Sequence, residues 1–210
     1  MKKITYIGLE RCDVVYHLAN VLSLQGKVLV VDNSYSADLI RSVSVDGSLG
    51  MREWRNVVYM CDVDLKRTDL TEFEYVIDYL GLAFTEDDLL DNDINLIMPD
   101  FTLEALTRVK ELPARINNPI YILRDQCNKK FTAKSVATLL GVHPKEIAGW
   151  ITLSVSDLAS YIALTHNHIS NIKTLSNDFV TAISYIASKV FEVEDEKKMD
   201  KIMAAARKIK

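Results

Sequence analysis

The apolar residues fall into two rhythms. Short β-branched runs bounded by turn residues alternate with longer stretches at helical spacing, which predicts an α/β sheet. The runs are "ITYIG" (4–8), "KVLVVD" (27–32), "NVVYM" (56–60), "YVIDYLG" (75–81), "INLIMP" (94–99) and "PIYILRD" (119–125), with "IAGWITLS" (147–154) as a further strand or edge segment. Their continuous apolar character is that of parallel strands covered on both faces. Residues 12–24 form a helix with Val14, Val15, Leu18, Val21 and Leu22 on one face, closed by Gly26 as a left-handed cap. Further helices are expected over 36–43, 101–112, 133–141 and 175–191, the last with Phe179, Ala182, Ile183, Ile186 and Val190 on one face. The pattern gives one doubly wound domain over 1–192, a mostly parallel sheet with helices on both faces, followed by a charged helix or tail over 193–210.

Composition adds bounds. The 210 residues suffice for one α/β domain with a substantial core. A net charge of −4 argues against bulk electrostatic binding to nucleic acid. Cys12, Cys61 and Cys127 form no CxxC pair, so there is no zinc or redox motif, and a reducing cytoplasm is expected. The start "MKKITYIGLERCD" loses its apolar run at Glu10 and Arg11, unlike a signal peptide, and no run approaches the roughly 20 apolar residues of a membrane span.

In open α/β sheets, ligands sit at the carboxyl ends of the strands. There the sequence places the turn "GLERCDVV", Asp32 ending one strand, and Asp78 with Gly81 ending another. A phosphate-cradling loop needs several small residues, a lysine, and a Ser or Thr for magnesium. Only Gly8 is permissive here; Arg11 is the one cation, Cys12 is a poor magnesium ligand, and Glu10 and Asp13 repel an anion. The dinucleotide fingerprint G-x-G-x-x-G keeps only its first glycine, although Asp32 lies at a suitable distance for a ribose hydroxyl.

The order of these pieces resembles the MinD/ParA group of P-loop ATPases, including its pilus-positioning TadZ/CpaE branch. "VVYHLANVLSLQGKVLVVDNS" is similar to the family's first helix, "GK" turn and second strand. "FEYVIDYLGLAFTEDDLLDNDINLIMPDFTLEALTRVKEL" resembles its "DxxxG" strand and the elements after it. "PIYILRDQCNKKFTAKSVATLLG" is similar to the run to the adenine pocket, and "LSNDFVTAISYIASKVF" to the closing helix. The resemblance puts Arg11 at the P-loop lysine and Cys12 at the magnesium-binding hydroxyl. Asp32 falls at the family's aspartate ending strand 2, Asp78 and Gly81 at its strand-4 aspartate and switch glycine, and Arg124 and Asp125 near the adenine contact. Thr152 stands at a frequent proline. The family's early P-loop lysine has no counterpart. The resemblance therefore implies a degenerate member lacking the Walker A motif.

Elsewhere the bland readings lead. "EDDLLDND" (86–93) lacks the glycine and ligand alternation of a calcium loop. "HNH" (166–168) reads as a surface loop, and His17 as a half-buried helix residue. In the tail, Met199, Ile202, Met203, Ala206 and Ile209 make an apolar stripe, and Lys197, Lys198, Lys201, Arg207, Lys208 and Lys210 make the rest basic. Such a helix can lie on an anionic membrane, dock on a partner or pack on its own domain.

The expectation is a cytoplasmic pseudo-ATPase that binds and positions other components of a pilus, secretion or partition machine. It would act as a homodimer or beside a related ATPase, with peripheral contact at the inner membrane face as an option. No cofactor is expected. The rival readings are a weak ATPase holding ATP or ADP with magnesium, and a DNA partition protein.

Overall fold

The computed structural model describes residues 1–43, 50–89, 92–112, 116–126, 130–167 and 170–209. Cys127, His168, Lys210, and Leu90 and Asp91 of the acidic run lie outside them. The described elements are β1 (Lys2–Gly8), α1 (Asp13–Leu22), β2 (Val28–Asp32), α2 (Asp38–Val43), β3 (Arg52–Trp54), β4 (Val57–Cys61), β5 (Tyr75–Gly81), β6 (Ile94–Met98), α3 (Leu103–Lys110), β7 (Pro119–Gln126), α4 (Ala133–Leu140), β8 (Ile147–Thr152), α5 (Val155–Asn167), α6 (Asn177–Phe191) and α7 (Glu196–Ala206).

The strands form one eight-stranded sheet in the order β3-β4-β2-β5-β1-β6-β7-β8. All neighbours are parallel except β3 and β4. β2 is buried along its whole length, as its unbroken apolar run requires of a strand covered on both sides. One face carries the main core, where Tyr6, Val30, Ile77 and Leu96 meet side chains of α1, α2, α6 and α7. The other face is covered by α3 and α4 around Ile7, Leu80 and Leu123, and by the segment before β5 around Val31 and Val76. The architecture is thus a doubly wound α/β layer with helices on both faces, and its sheet is mixed.

Two elements escaped the sequence reading. β3 joins β4 through Arg55 and Asn56, both with positive φ (50° and 66°), the geometry of a two-residue type I′ hairpin. That turn usually announces itself as Asn-Gly, which is absent here. α5 was hidden because its buried face carries Asp157 and Ser160 while Val155, Leu158 and Ile162 are exposed. Only Leu164, with Tyr161 beside it, carries its apolar contact with the core, so the pattern reads as no ordinary surface helix.

Gly26 is a further correction. α1 stops at Leu22 with Ser23 in right-handed geometry, and Gly26 is not among the positive-φ glycines. A Cβ on Gly26 would meet the Glu74 side chain at 2.8 Å, so close packing accounts for the glycine. Gly141, with φ 74°, does close α4 as a left-handed cap.

Candidate functional site

The turn between β1 and α1 sits at the carboxyl ends of β1, β5 and β6, and Gly8 lets it leave the sheet. Gly8 has φ 144°, and a Cβ there would lie 2.1 Å from the Met98 carbonyl oxygen. The Leu9 N–H donates to that same carbonyl at 3.1 Å, pinning the turn against β6. α1 then starts with its free N–H groups and positive dipole end facing the turn, the arrangement that holds anions in other proteins.

Here the anions are supplied by the chain. The Cys12 N–H donates to Asp38 Oδ2 at 2.9 Å, and the Val14 N–H to Asp13 Oδ1 at 2.9 Å. Asp13 is 1% exposed and receives both Arg124 amino groups, Nη1 at 2.7 Å and Nη2 at 3.0 Å. Arg11 Nη2 reaches the same carboxylate at 3.1 Å, and Arg11 Nη1 donates to Asp125 Oδ2 at 2.7 Å. Arg124 itself is fully buried. The Arg11 guanidinium lies 4.8 Å from the Tyr161 ring centre and that of Arg124 5.5 Å from Phe179. Asp125 adopts φ +56°, where the β7–β8 register breaks, and this strained turn accompanies its contact with Arg11.

Burial alone would raise the Asp13 carboxyl, but the Arg124 charge and its hydrogen bonds, with Arg11 behind them, hold it below the usual range. Asp38 is half-buried and has no cation beside it, and desolvation raises its carboxyl above the usual range. The Cys12 thiol is pushed well above its ordinary value by burial and by Asp38, so it is neither an activated nucleophile nor a ready metal ligand. Glu10 Oε2 accepts from the Ser36 N–H at 3.1 Å, and its Cγ lies 2.5 Å from where a Cβ on Gly81 would stand. Gly81, φ 60°, therefore makes room for Glu10.

The two strand-end aspartates part company. Asp32 is buried and caps the start of α2: Oδ2 accepts from Ile40 N–H at 3.0 Å, and Oδ1 from the Ser34 hydroxyl at 2.6 Å. Asp78 pairs with Asn33 Nδ2 at 2.9 Å in a cleft of about 210 Å³ beside Lys3, Lys66, Asp87 and Asp88. Its strand neighbours Ile77 and Tyr79 join the main core, so Asp78 points to the other face of the sheet. Asp32 and Asp78 do not converge on one ion. Burial lifts the Asp78 carboxyl to about 7.

Gly8, Arg11, Cys12 and Arg124 thus meet at one place, Gly81 adjoins it through Glu10, Asp32 lies behind it, and Asp78 lies elsewhere. Sequence reasoning noted Asp13 as a repelling carboxylate. It missed Asp38, whose role depends on how α2 folds back onto α1.

The tail forms α7. Met199, Ile202, Met203 and Ala206 are buried against α1 and α6, and the Ile209 carbonyl accepts from Asn171 Nδ2 at 2.9 Å. Lys197, Lys198, Lys201, Arg207 and Lys208 remain as a basic outer face. His166 is exposed on the last turn of α5, and Glu86–Asp88 form a short 3-10 turn capped by Thr85. No described helix is long and apolar enough to cross a membrane.

No protein-family model and no curated protein matches this sequence. Among solved structures, the chain is similar to a ParA family ATPase from Chlorobium tepidum TLS, at 11% identity and TM-score 0.52, covering 98% of this chain and 97% of that one. It is also similar to a putative plasmid partition protein from Borrelia burgdorferi B31 bound to AMPPNP. That match is at 14% identity and TM-score 0.58, over 91% of this chain and 98% of that one. At such identity the likeness shows the fold alone, an α/β fold shared with these ParA-family and partition-protein structures.

Proposed function

We propose that a chain with this fold, whose helix N-terminus is already filled by its own carboxylates, acts by binding and not by hydrolysing a nucleotide. It is read as a degenerate relative of the MinD/ParA group, near the TadZ/CpaE branch, that positions a pilus, secretion or partition machine in the cytoplasm. Its partners would be a second copy or a related ATPase. The observation that carries this is the Asp13–Arg124 pair, with Arg11 and Asp38 around it. An incoming phosphate would have to displace carboxylates that already hold the Nη groups of both arginines and the Cys12 N–H, in a site where two buried charges are matched. Phosphoryl transfer also needs free cations around the phosphoryl oxygens, and both Arg11 of the turn and Arg124 of β7 are engaged in ion pairs.

The basic face of α7 gives little support to membrane contact, because its apolar stripe is spent on α1 and α6. The Borrelia neighbour that holds AMPPNP favours the rival of a weak nucleotide binder. Titration calorimetry of ATP and ADP with magnesium decides between them. The expected result is no saturable heat up to millimolar nucleotide. Saturable binding, lost in Arg11→Ala, would restore the nucleotide site and sink the present reading.

A further inference from the structure

We infer that the cleft beside Asp78 is a binding site for a short aliphatic diamine, whose first ammonium sits between Asp78 and Thr5. The sheet face turned away from α1 carries two separate apolar groups, one around Ile7, Leu80 and Ile97 and one around Val31, Val58 and Val76. Along β5, Asp78 stands between Val76 of one group and Leu80 of the other. It begins a polar row across the sheet. Thr5 of β1 lies opposite Asp78 on one side and opposite Asn95 of β6 on the other. All three side chains point to this face, because the residues flanking each of them in sequence belong to the main core on the other.

The row is buried but not satisfied. Thr5 and Asn95 are both 0% exposed, and among the described residues Thr5 Oγ1 and Asn95 Oδ1 have no hydrogen-bond partner. Buried polar atoms are nearly always partnered, so the pair calls for a ligand or a water. Thr5 stands between Lys3, two residues back on the same face, and Asp78, and both of these line the cleft of about 210 Å³. Its hydroxyl is therefore at the cleft floor.

Chemistry selects the occupant. Asp78 has one described hydrogen bond, from Asn33, and the charge that acts on it is that of Asp88, another acid. Lys3 and Lys66 stand at the rim without pairing with it. An anion would meet Asp78 at the floor and Asp87 and Asp88 at the mouth. A metal ion needs several hard ligands around one point, and among the described residues no three His, Cys, Asp or Glu are placed to hold one. An ammonium needs less. Its N–H groups find the Asp78 carboxylate and the Thr5 hydroxyl oxygen as acceptors. A short alkyl chain then carries the second ammonium towards Asp87 and Asp88. The cleft lies apart from the β1–α1 turn, so this inference and the proposed binding role stand or fall separately.

Titration calorimetry of putrescine into the full chain at pH 8 tests it, from about 1 µM to about 10 mM ligand. Saturable one-to-one binding is expected. Asp78→Asn should weaken it at least tenfold. Thr5→Val keeps the shape without the hydroxyl. It should weaken binding measurably while the thermal midpoint holds or rises, since a buried orphan is removed. Burial lifts the Asp78 carboxyl to about 7 and the ammonium requires its ionised form, so affinity should fall about tenfold from pH 8 to pH 6. The charged groups around it are Lys3, Asp64, Lys66, Asp87 and Asp88, and any binding left in Asp78→Asn should be flat over that range. No saturable heat overturns the inference, as does binding that both substitutions leave unchanged. Equal binding of the neutral analogue butanediol also overturns it.

Discussion

At the scale of the residue, the buried pair is the most sensitive point. Removing one member leaves a charge with no partner in a dry site, so Arg124→Ala is expected to cost about 3–5 kcal/mol in urea unfolding. Replacing both, as Asp13→Leu with Arg124→Met, should cost far less than the sum of the single changes, because no orphaned charge remains. Two other groups act on stability through pH in opposite directions. His17 is buried and held at about 4, below its unfolded value of 6.5, so the unfolded chain takes up its proton first and stability rises with pH between those values. Asp78 is lifted to about 7 from 3.8, so the folded chain holds its proton longer and stability falls as pH rises through that window. Each effect is on the order of 3–4 kcal/mol, and they offset where the two ranges overlap. His17→Phe should expose a fall in stability from pH 4 to 7, and Asp78→Asn a rise from pH 4 to 6.5, read from denaturation midpoints across pH. A wild-type profile that neither change alters would refute the assignment.

At the scale of the element, α7 is part of the domain and not an appendage. Ile202 and Met203 are 8% and 5% exposed, so truncating either to Ala should cost about 2–4 kcal/mol. Replacing Lys197, Lys198 and Lys201 together by Gln should stay within about 0.5 kcal/mol, since these side chains face water. The tail's stripe was legible in the sequence, but where it packs was not, because docking depends on α1 and α6 being already paired. The buried strands were legible for a simple reason: unbroken apolar runs such as "VLVVD" have few other solutions. α5 and β3 were not. One hides polar residues inward, and the other turns on Arg-Asn where the pattern leads one to look for glycine. At the site, Arg11 and Asp13 could be picked from the turn, while Asp38 and the bidentate reach of Arg124 arise only when distant strands align.

At the scale of the whole molecule, a ligand that binds only the folded state raises its stability by mass action, about 2.7 kcal/mol at a hundredfold excess over the dissociation constant. With the turn filled from within, millimolar ATP and magnesium should leave the thermal midpoint where it was, and a rise of several degrees would count against the proposed function. Stability must come from the chain itself. The Asp13–Arg124 and Arg11–Asp125 contacts tie the start of α1 and the turn before it to the end of β7.

The sheet order has a consequence for how the protein comes into being. β1 is synthesised before the other described strands of this sheet, yet it lies between β5 and β6, with Ile4 opposite Ile77 on one side and Ile94 on the other. At about 5–20 residues per second, the nascent chain carries that apolar strand without either neighbour for several seconds. Its contacts span much of the chain, which makes folding slow and leaves the early product exposed to wrong partners. The centre of the finished sheet is therefore the part that waits longest to be closed.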